Sequence, residues 1–416
     1  MQRLSSSLRS ISAEASIANA KLVARDLGIT RVTDVTWLDK IGIPVFSGIR
    51  PYAAPEVLCV HAGKGMRAEE AKIGAYMESI EFALADYRRH MSRIKYGSVG
   101  EIISTFPAGM TFPTLCPQWG YAVGETTSLC YVEGREIFSG NTVRMPADLV
   151  FHPFQASNHS SLFGGTNTNG LCSGNTEQEA IIHGICEVLE RDVISFNRLR
   201  NESRMVTRSS EPDSIRSMRK KVEEANLSLI LRYTSNEYDL PFFSAYVLQP
   251  NDTDAIAIAD GFGLHPIAEV AAVRAVAEAV QSRLSHIHGG RDDIIERVAY
   301  FETHGRDHEI LATSMLRASV SDSSDPIDFE EIPSYERSIT DLDSAMWQLR
   351  RAMQKAGFEY CVTVPLSEPD FPFSVIRVVI PGAEHVDPKS KRVGPRFAHA
   401  LASQPAAESS LPREDA

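Results

Sequence analysis

Three segments of this chain carry the same side-chain template, and that recurrence limits its possible folds more than any other feature. The first has Glu70, Ala71, Glu78 and Glu81, the second Glu179, Ala180, Glu187 and Glu190, the third Val270, Ala271, Glu278 and Gln281. In each, the spacings from the first residue are one, eight and eleven, and a hydrophobic residue (Ile80, Leu189 or Val280) precedes the last polar one. The apolar pattern around each is helical and predicts strong helices over about 68–91, 176–199 and 266–287. Three equivalent helices imply a pseudo-repeated architecture; the flanking segments diverge too far for a solenoid.

Spacing then dictates geometry. At about 100° per residue, positions i, i+8 and i+11 lie within roughly 80° on one helix face. Glu179, Glu187 and Glu190 therefore form a stripe, and Glu78 with Glu81 a shorter one. The same helices are strongly apolar beside it, with Ile73, Ala75, Met77 and Ile80 in one and Ile181, Ile182, Ile185 and Leu189 in another. A solvated acidic face on an amphipathic helix is the ordinary explanation of one Glu-x-x-Glu, but its recurrence weakens that explanation. Carboxylates one turn apart repel, and partly buried ones need protons or cations. Hard cations suit all-oxygen ligand sets, and Mg²⁺ shares its shell with substrate phosphates. The expectation is a carboxylate-bound Mg²⁺ site, with more than one ion, where three helices meet: chemistry for a nucleotide's phosphate chain.

The rest of the chain alternates helices and strands in irregular order. A helix is expected over 13–27, ending at Gly28, with strands at 31–37 and 44–49 and a short apolar stretch at 56–61. Strands and long loops are expected over 97–165, a helix before Asn226, strands at 227–233, 242–248 and 255–260, an acidic surface loop at 319–333, a helix near 342–357, and strands at 360–364 and 374–379. Sequential strands with short links favour an α+β class over a regular βαβ array. Residues 1–12 read as a frayed end and a first structured turn, and the segment after 402 as a disordered tail. With 42 Lys+Arg against 54 Asp+Glu, the chain lacks the basic surplus that non-specific nucleic-acid binding requires. No apolar run is long enough to span a bilayer. The six cysteines include no Cys-x-x-Cys pair, which points to free thiols in a reducing cytoplasm.

Other motifs carry less. Gly63-Lys64-Gly65 has no Walker spacing; it reads as a tight turn or as a backbone cradle for a phosphate. Gly261-Phe262-Gly263 has Pro266 where a dinucleotide fingerprint needs glycine. His286 and His288 read as a helix-end pair. His183 lies on the stripe between Glu179 and Glu187 and supports a rival reading, a metalloenzyme without nucleotide, although di-iron bundles use a Glu-x-x-His spacing one residue shorter.

Over about residues 9–396 the chain resembles the YcaO-domain family. The resemblance is carried by Gly28-Ile29-Thr30-Arg31-Val32, Asp39 with Gly42-Ile43-Pro44-Val45, Arg50-Pro51, Gly63-Lys64-Gly65 and Met77-Glu78-Ser79-Ile80-Glu81. It continues through Ser173-Gly174-Asn175-Thr176, the block from His183 to Asp192, the block from Arg274 to Arg283, and Gly290-Arg291-Asp292-Asp293. It implies a YcaO-like α+β fold, with pseudo-repeated helices packed on mixed or antiparallel sheets around a central ATP and Mg²⁺ site, and one domain over 1–402 followed by the tail 403–416. It also implies an ATP-dependent enzyme that activates peptide backbone amides by O-phosphorylation. A neighbouring Cys, Ser or Thr as nucleophile then gives an azoline, external sulfide a thioamide, and an amine an amidine.

By the same resemblance Glu78, Glu81, Glu179, Glu187, Glu190 and Glu278 are metal ligands, while Arg9, Ser16, Asn175, Arg191, Gln281 and Arg283 contact ATP. Gly74 stands where the family often has Ser, and Phe82 where an Arg often follows the first Glu pair. The end of the chain lacks the proline-alternating tail of azoline-forming members. This pattern is similar to stand-alone members that form thioamides with a TfuA-type partner; an azoline-forming enzyme with a separate E1-like partner and a non-catalytic ATP-binding accessory protein are the alternatives. The expected substrate is a ribosomally made peptide or a protein, and the assembly has room for a homodimer.

Overall fold

A computed structural model describes residues 2–54, 56–155, 162–251, 256–290, 303, 305–387 and 390–403. The three template segments are helices, and each follows an edge strand. Strand β1 (Val60–Lys64) leads into helix α1 (Ala68–Leu84), β2 (Leu171–Gly174) into α2 (Glu177–Arg200), and β3 (Ile258–Leu264) into α3 (Ala268–His288). β1 is the edge of a three-stranded sheet with Arg31–Asp34 and Val45–Ile49. β2 is the edge of a six-stranded sheet, next to Ser374–Val379, and β3 closes a four-stranded sheet, next to Phe242–Leu248. The strands pair antiparallel throughout these sheets.

Each helix turns back over its own edge strand, and small residues permit the approach. A Cβ on Gly63 would lie 2.0 Å from the carbonyl oxygen of Ala71, and one on Gly263 would lie 2.1 Å from that of Ala271. The second unit reverses the arrangement: Cys172 occupies the strand position, and a Cβ on Gly184 of the helix would lie 2.5 Å from its Sγ. The contact is conserved in volume rather than in residue. The alanine of each template, Ala71, Ala180 or Ala271, is fully buried there.

The three units also contact one another in a cycle. α1 touches β2, α2 touches β3, and α3 touches β1. Away from this junction the helices bury separate apolar faces. Ile73, Met77 and Ile80 pack with Ala13, Ile17 and Leu129; Ile181, Ile185 and Leu189 with Leu349, Ile376 and Val378; Val276 and Val280 with Leu229, Leu231 and Phe243. Each such side chain taken from water contributes about 1.5–3 kcal/mol, so the template faces are pinned by their apolar neighbours.

The structure corrects several expectations. α1 stops at Leu84 because Asp86 accepts from the Arg88 backbone N–H (3.0 Å) and starts a separate turn, Tyr87–Arg89. Gly63 and Lys64 do not form a tight turn; they are strand residues paired with Phe46 and Val45. The strand expected over 31–37 ends at Asp34, which accepts from Thr36 N (2.9 Å) and bends the chain. The first residues are not frayed: Gln2–Arg3 pairs with Leu8–Arg9, and Leu4 and Leu8 are buried. A helix at Arg306–Val320 and another at Pro395–Ala402 were not anticipated. The expected tail beyond 403, the start of the strand at 255 and the Arg291-Asp292-Asp293 motif lie outside the described residues.

Candidate active site

The ring of three units brings the template stripes to one cleft. Position four of each copy is Gly74, His183 and Arg274, position eight is Glu78, Glu187 and Glu278, and position eleven is Glu81, Glu190 and Gln281. All are partly exposed except Glu190, which is buried. At position eleven the helix reaches the strand of the next unit. Glu81 accepts from the Ser173 hydroxyl on β2, and Glu190 accepts from the Leu264 backbone N–H at the end of β3 (2.9 Å). In the third unit Gln281 Oε1 is shut off from water without a hydrogen-bond partner.

The carboxylates fall into two electrostatic classes. Burial, with Glu187 and Glu78 as like-charged neighbours, pushes Glu81 up to about 8. Burial, together with Glu190, pushes Glu187 up to about 7 even though Arg191 opposes it. Glu190 is raised by burial and by Glu278. These three share poorly hydrated space with one another, and a bound cation would relieve both burial and repulsion. By contrast, burial would raise Glu179 and Glu278, but protein donors more than offset it. Glu278 is held low by Lys64, whose Nζ is 2.5 Å away, and by Arg191. Glu179 is held low by Ser10 and Arg9.

Glu78 accepts from the Ala62 backbone N–H (3.0 Å), and Glu179 is bonded more heavily still. It accepts from Asn175 N and Asn175 Nδ2 (2.9 Å each), from Ser10 N, and from Arg9 (3.5 Å). Ser16, buried in helix Ala13–Ala24, donates to Asn175 Oδ1 (2.8 Å). Arg9, Ser16, Asn175 and Glu179 thus meet at the start of α2, as one network joining the N-terminal hairpin to the cleft. Farther along, Ser5 of the hairpin donates to Glu70 and Arg3 to Glu269 (3.2 Å), so this one short segment is held at the starts of α1, α2 and α3.

Arg191 and Arg274 each lie in the field of Glu187 and Glu190, yet neither makes an ion pair among the described residues. Arg283 is placed elsewhere. It lies five residues past Glu278, about 140° round the helix, and pairs with buried Asp39 (3.0 Å). Phe82, at the position of Arg191 in the second unit, packs against His61 with ring centroids 4.6 Å apart. His183 faces the cleft, but burial and then Arg274, Arg9 and Lys64 drive its pKa far down, so the imidazole is neutral. Sequence reasoning missed Arg274 and the pairing of Lys64; the signal for Arg274 was its place as the counterpart of His183.

The donor set fits Mg²⁺. It consists of carboxylates, and among the described residues no three His, Cys, Asp or Glu side chains close into a protein-only cage. Mg²⁺ held by one or two carboxylates and completed by phosphates needs no such cage. Among the described residues no helix is long and apolar enough to cross a membrane.

Comparison with known proteins gives the family and the fold. A family model, YcaO cyclodehydratase, ATP- and Mg²⁺-binding, matches residues 62–384. An uncharacterized protein of Methanothermobacter thermautotrophicus is 30% identical over 89% of this chain and 94% of its own. An uncharacterized protein in the tfuA 3' region of Rhizobium leguminosarum bv. trifolii is 29% identical over 86% of this chain and 84% of its own. In fold, the chain is similar to YcaO from Methanopyrus kandleri bound with AMPPCP and Mg²⁺ (TM-score 0.69, 22% identity, 94% of this chain and 96% of that one). It is also similar to a heterocyclase in complex with substrate and cofactor (TM-score 0.74, 16% identity, 92% of this chain and 54% of that one).

Proposed function

From the premise that this chain belongs to the YcaO family of ATP- and Mg²⁺-binding enzymes, we propose that it activates a peptide backbone amide and that the product is a thioamide. The observation that carries the first half is the trio Glu81, Glu187 and Glu190, raised together in one cleft and, among the described residues, without a cation at ion-pair distance. These residues, with Glu78, would hold Mg²⁺. Mg·ATP held there would supply the phosphoryl group that makes the oxygen of a sulfide–amide adduct a leaving group, so that the oxygen departs as phosphate and sulfur stays on the carbon.

The chain's own residues position and neutralise. Arg191 makes no ion pair among the described residues and offers its guanidinium to phosphate oxygens, stronger acceptors than any neutral group. Arg9, Ser16 and Asn175 are tied through Glu179 into one network at the start of α2, which holds the Arg9 and Asn175 side chains in place beside the phosphate site. Gln281 Oε1 offers an unused acceptor. Lys64 neutralises Glu278 internally and keeps the α3 side of the cleft closed to a further ion. The ordered cysteines are free; Cys172 and Cys186 are buried and their thiols are pushed up by burial, so neither serves as an enzymic nucleophile.

The thioamide reading rests on the relative named for a tfuA region, which supports a TfuA-like partner; residues 9–396 act as one catalytic domain in the cytoplasm. The test is purified protein with Mg·ATP, a sulfide donor, the TfuA-like protein and the candidate peptide. Phosphate release with a mass gain matching sulfur for oxygen is the expected result. Loss of one water from the peptide would reassign it to azoline formation, and ATP binding without any turnover would make it an accessory protein.

A further inference from the structure

We propose that His385 donates a hydrogen bond from its Nε2–H to the carbonyl oxygen of the substrate's backbone amide, and that Asn167 holds the imidazole in the tautomer that can do so. The inference rests on the amide-activating reading above and deepens it by naming the groups that receive the peptide.

Two segments meet beside the cleft carboxylates. Arg377, fully buried in the strand next to β2, donates to the backbone oxygens of Asn167 (3.0 Å), Asn169 (2.8 Å) and Val150 (2.9 Å). The same guanidinium lies in the field of Glu187 and Glu81, so it ties the stretch before β2 to the cleft. The second segment is clamped to α2 just past Arg191. Glu384 N donates to Asp192 Oδ1 (2.6 Å) and Val386 N to Ser195 Oγ (3.0 Å), which fixes the backbone on both sides of half-buried His385. Arg191, Arg392 and Arg198 act on its imidazole, against Asp387.

The tautomer follows from counting donors and acceptors. Asn167 Oδ1 accepts from Asn169 N (3.1 Å), so the group it turns to His385 Nδ1 (3.5 Å) is its NH₂. Nδ1 is then the acceptor and the ring proton sits on Nε2, which makes no hydrogen bond among the described residues. Burial and the surrounding arginines hold the imidazole at about 3. It is neutral near pH 7 and a poor base; what it offers is an N–H.

The ligand's chemistry follows from the rest of this wall. Asn169 Oδ1 is shielded from water without a hydrogen-bond partner. His152, bonded to Thr166 (3.0 Å), is also neutral, held at about 4 by burial and Arg377. An orphaned carbonyl oxygen repels a phosphate and suits a peptide N–H, and the free Nε2–H suits the carbonyl of such an amide. Exposed Trp119, whose N–H donates to Lys391 O (2.9 Å), adds an apolar surface close by. As the nucleophile adds to the carbonyl carbon, the π pair of the C=O bond moves onto oxygen. The Nε2–H bond strengthens against that charge until the oxygen is phosphorylated, and the imidazole gains and loses no proton.

The experiment has two readouts. Imidazole ¹⁵N NMR of the protein with Mg·AMPPCP, the His385 signals assigned by their absence in His385→Gln, shows which nitrogen carries the proton while N-methylacetamide is titrated in as the probe amide. The expected result is an Nε2–H tautomer whose Nε2 resonance moves with the amide, and an Nδ1–H tautomer in Asn167→Asp, where a carboxylate accepts instead of donating. In the phosphate-release assay, kcat should fall about 10²-fold in His385→Phe, recover in part in His385→Gln, which keeps a donor near the same place, and fall in Asn167→Asp. Equilibrium affinity for Mg·ATP should be the same in all of them. An Nδ1–H tautomer in the wild type, a resonance unmoved by the amide, or wild-type kcat in His385→Phe overturns the proposal. So does a loss of Mg·ATP affinity as large as the loss of kcat, which would place His385 at the nucleotide. Should His385→Phe melt early, the wild-type NMR titration and the contrast of His385→Gln with Asn167→Asp still decide. A wild type that releases no phosphate overturns the functional reading, and the amide titration then decides this proposal by itself.

Discussion

The second and third units of the ring present the same offsets to their neighbours and opposite electrostatics. On α2, Glu187 is raised by burial and by Glu190, and Glu190 by burial and by Glu278, with only a backbone amide bonded to Glu190. On α3, Glu278 is held low by Lys64 and position eleven is a neutral glutamine. One backbone arrangement thus yields one surface strained toward binding a cation and another that is internally neutral. The function of a carboxylate here depends on whether the adjacent strand ends in a cation.

The largest consequence of that difference should appear on α2. Glu187→Gln or Glu190→Gln is expected to lower ATP turnover by on the order of 10³, while the melting temperature without Mg²⁺ stays level or rises, because a repelling charge is gone. Unchanged turnover in both variants would remove the site. Next in size is the metal itself: chelation should stop turnover and added Mg²⁺ restore it, with circular dichroism unaltered throughout. On α3 the expectation is a stability effect instead. Lys64→Met leaves Glu278 unpaired in a half-closed cleft and should cost about 1–3 kcal/mol in denaturant unfolding. The double variant with Glu278→Gln should regain much of that, and simple additivity of the two changes would show that the pair is not coupled. The smallest effect belongs to the hairpin. Ser5→Ala removes one bond to Glu70 and should cost about 1 kcal/mol or less, detectable as a modest rise in KM for ATP through looser placement of Arg9.

The helices themselves were legible because their signal is local. The i, i+8, i+11 template and its apolar flank specify a face whatever surrounds them, and Ile80, Leu189 and Val280 are all buried as that face requires. Arg283 shows the limit. Its block matched the family, yet nothing local shows that its guanidinium will pair with buried Asp39, 244 positions away in the chain. The N-terminal hairpin shows the same limit, since nothing local in Ser5 or Ser10 indicates that Glu70 and Glu179 will accept their backbone amides.

By itself, the amino-acid order determined that three like helices would each carry a polar stripe beside an apolar one, since side-chain period and hydrophobic burial act over a few residues. Only the tertiary structure decided that the stripes face one another around a closed ring, that Lys64 would neutralise Glu278, and that Arg274 would make no ion pair among the described residues. Those outcomes depend on which strand end meets which helix, and that is set by the packing of small residues such as Gly63, Gly184 and Gly263 between segments far apart in the chain.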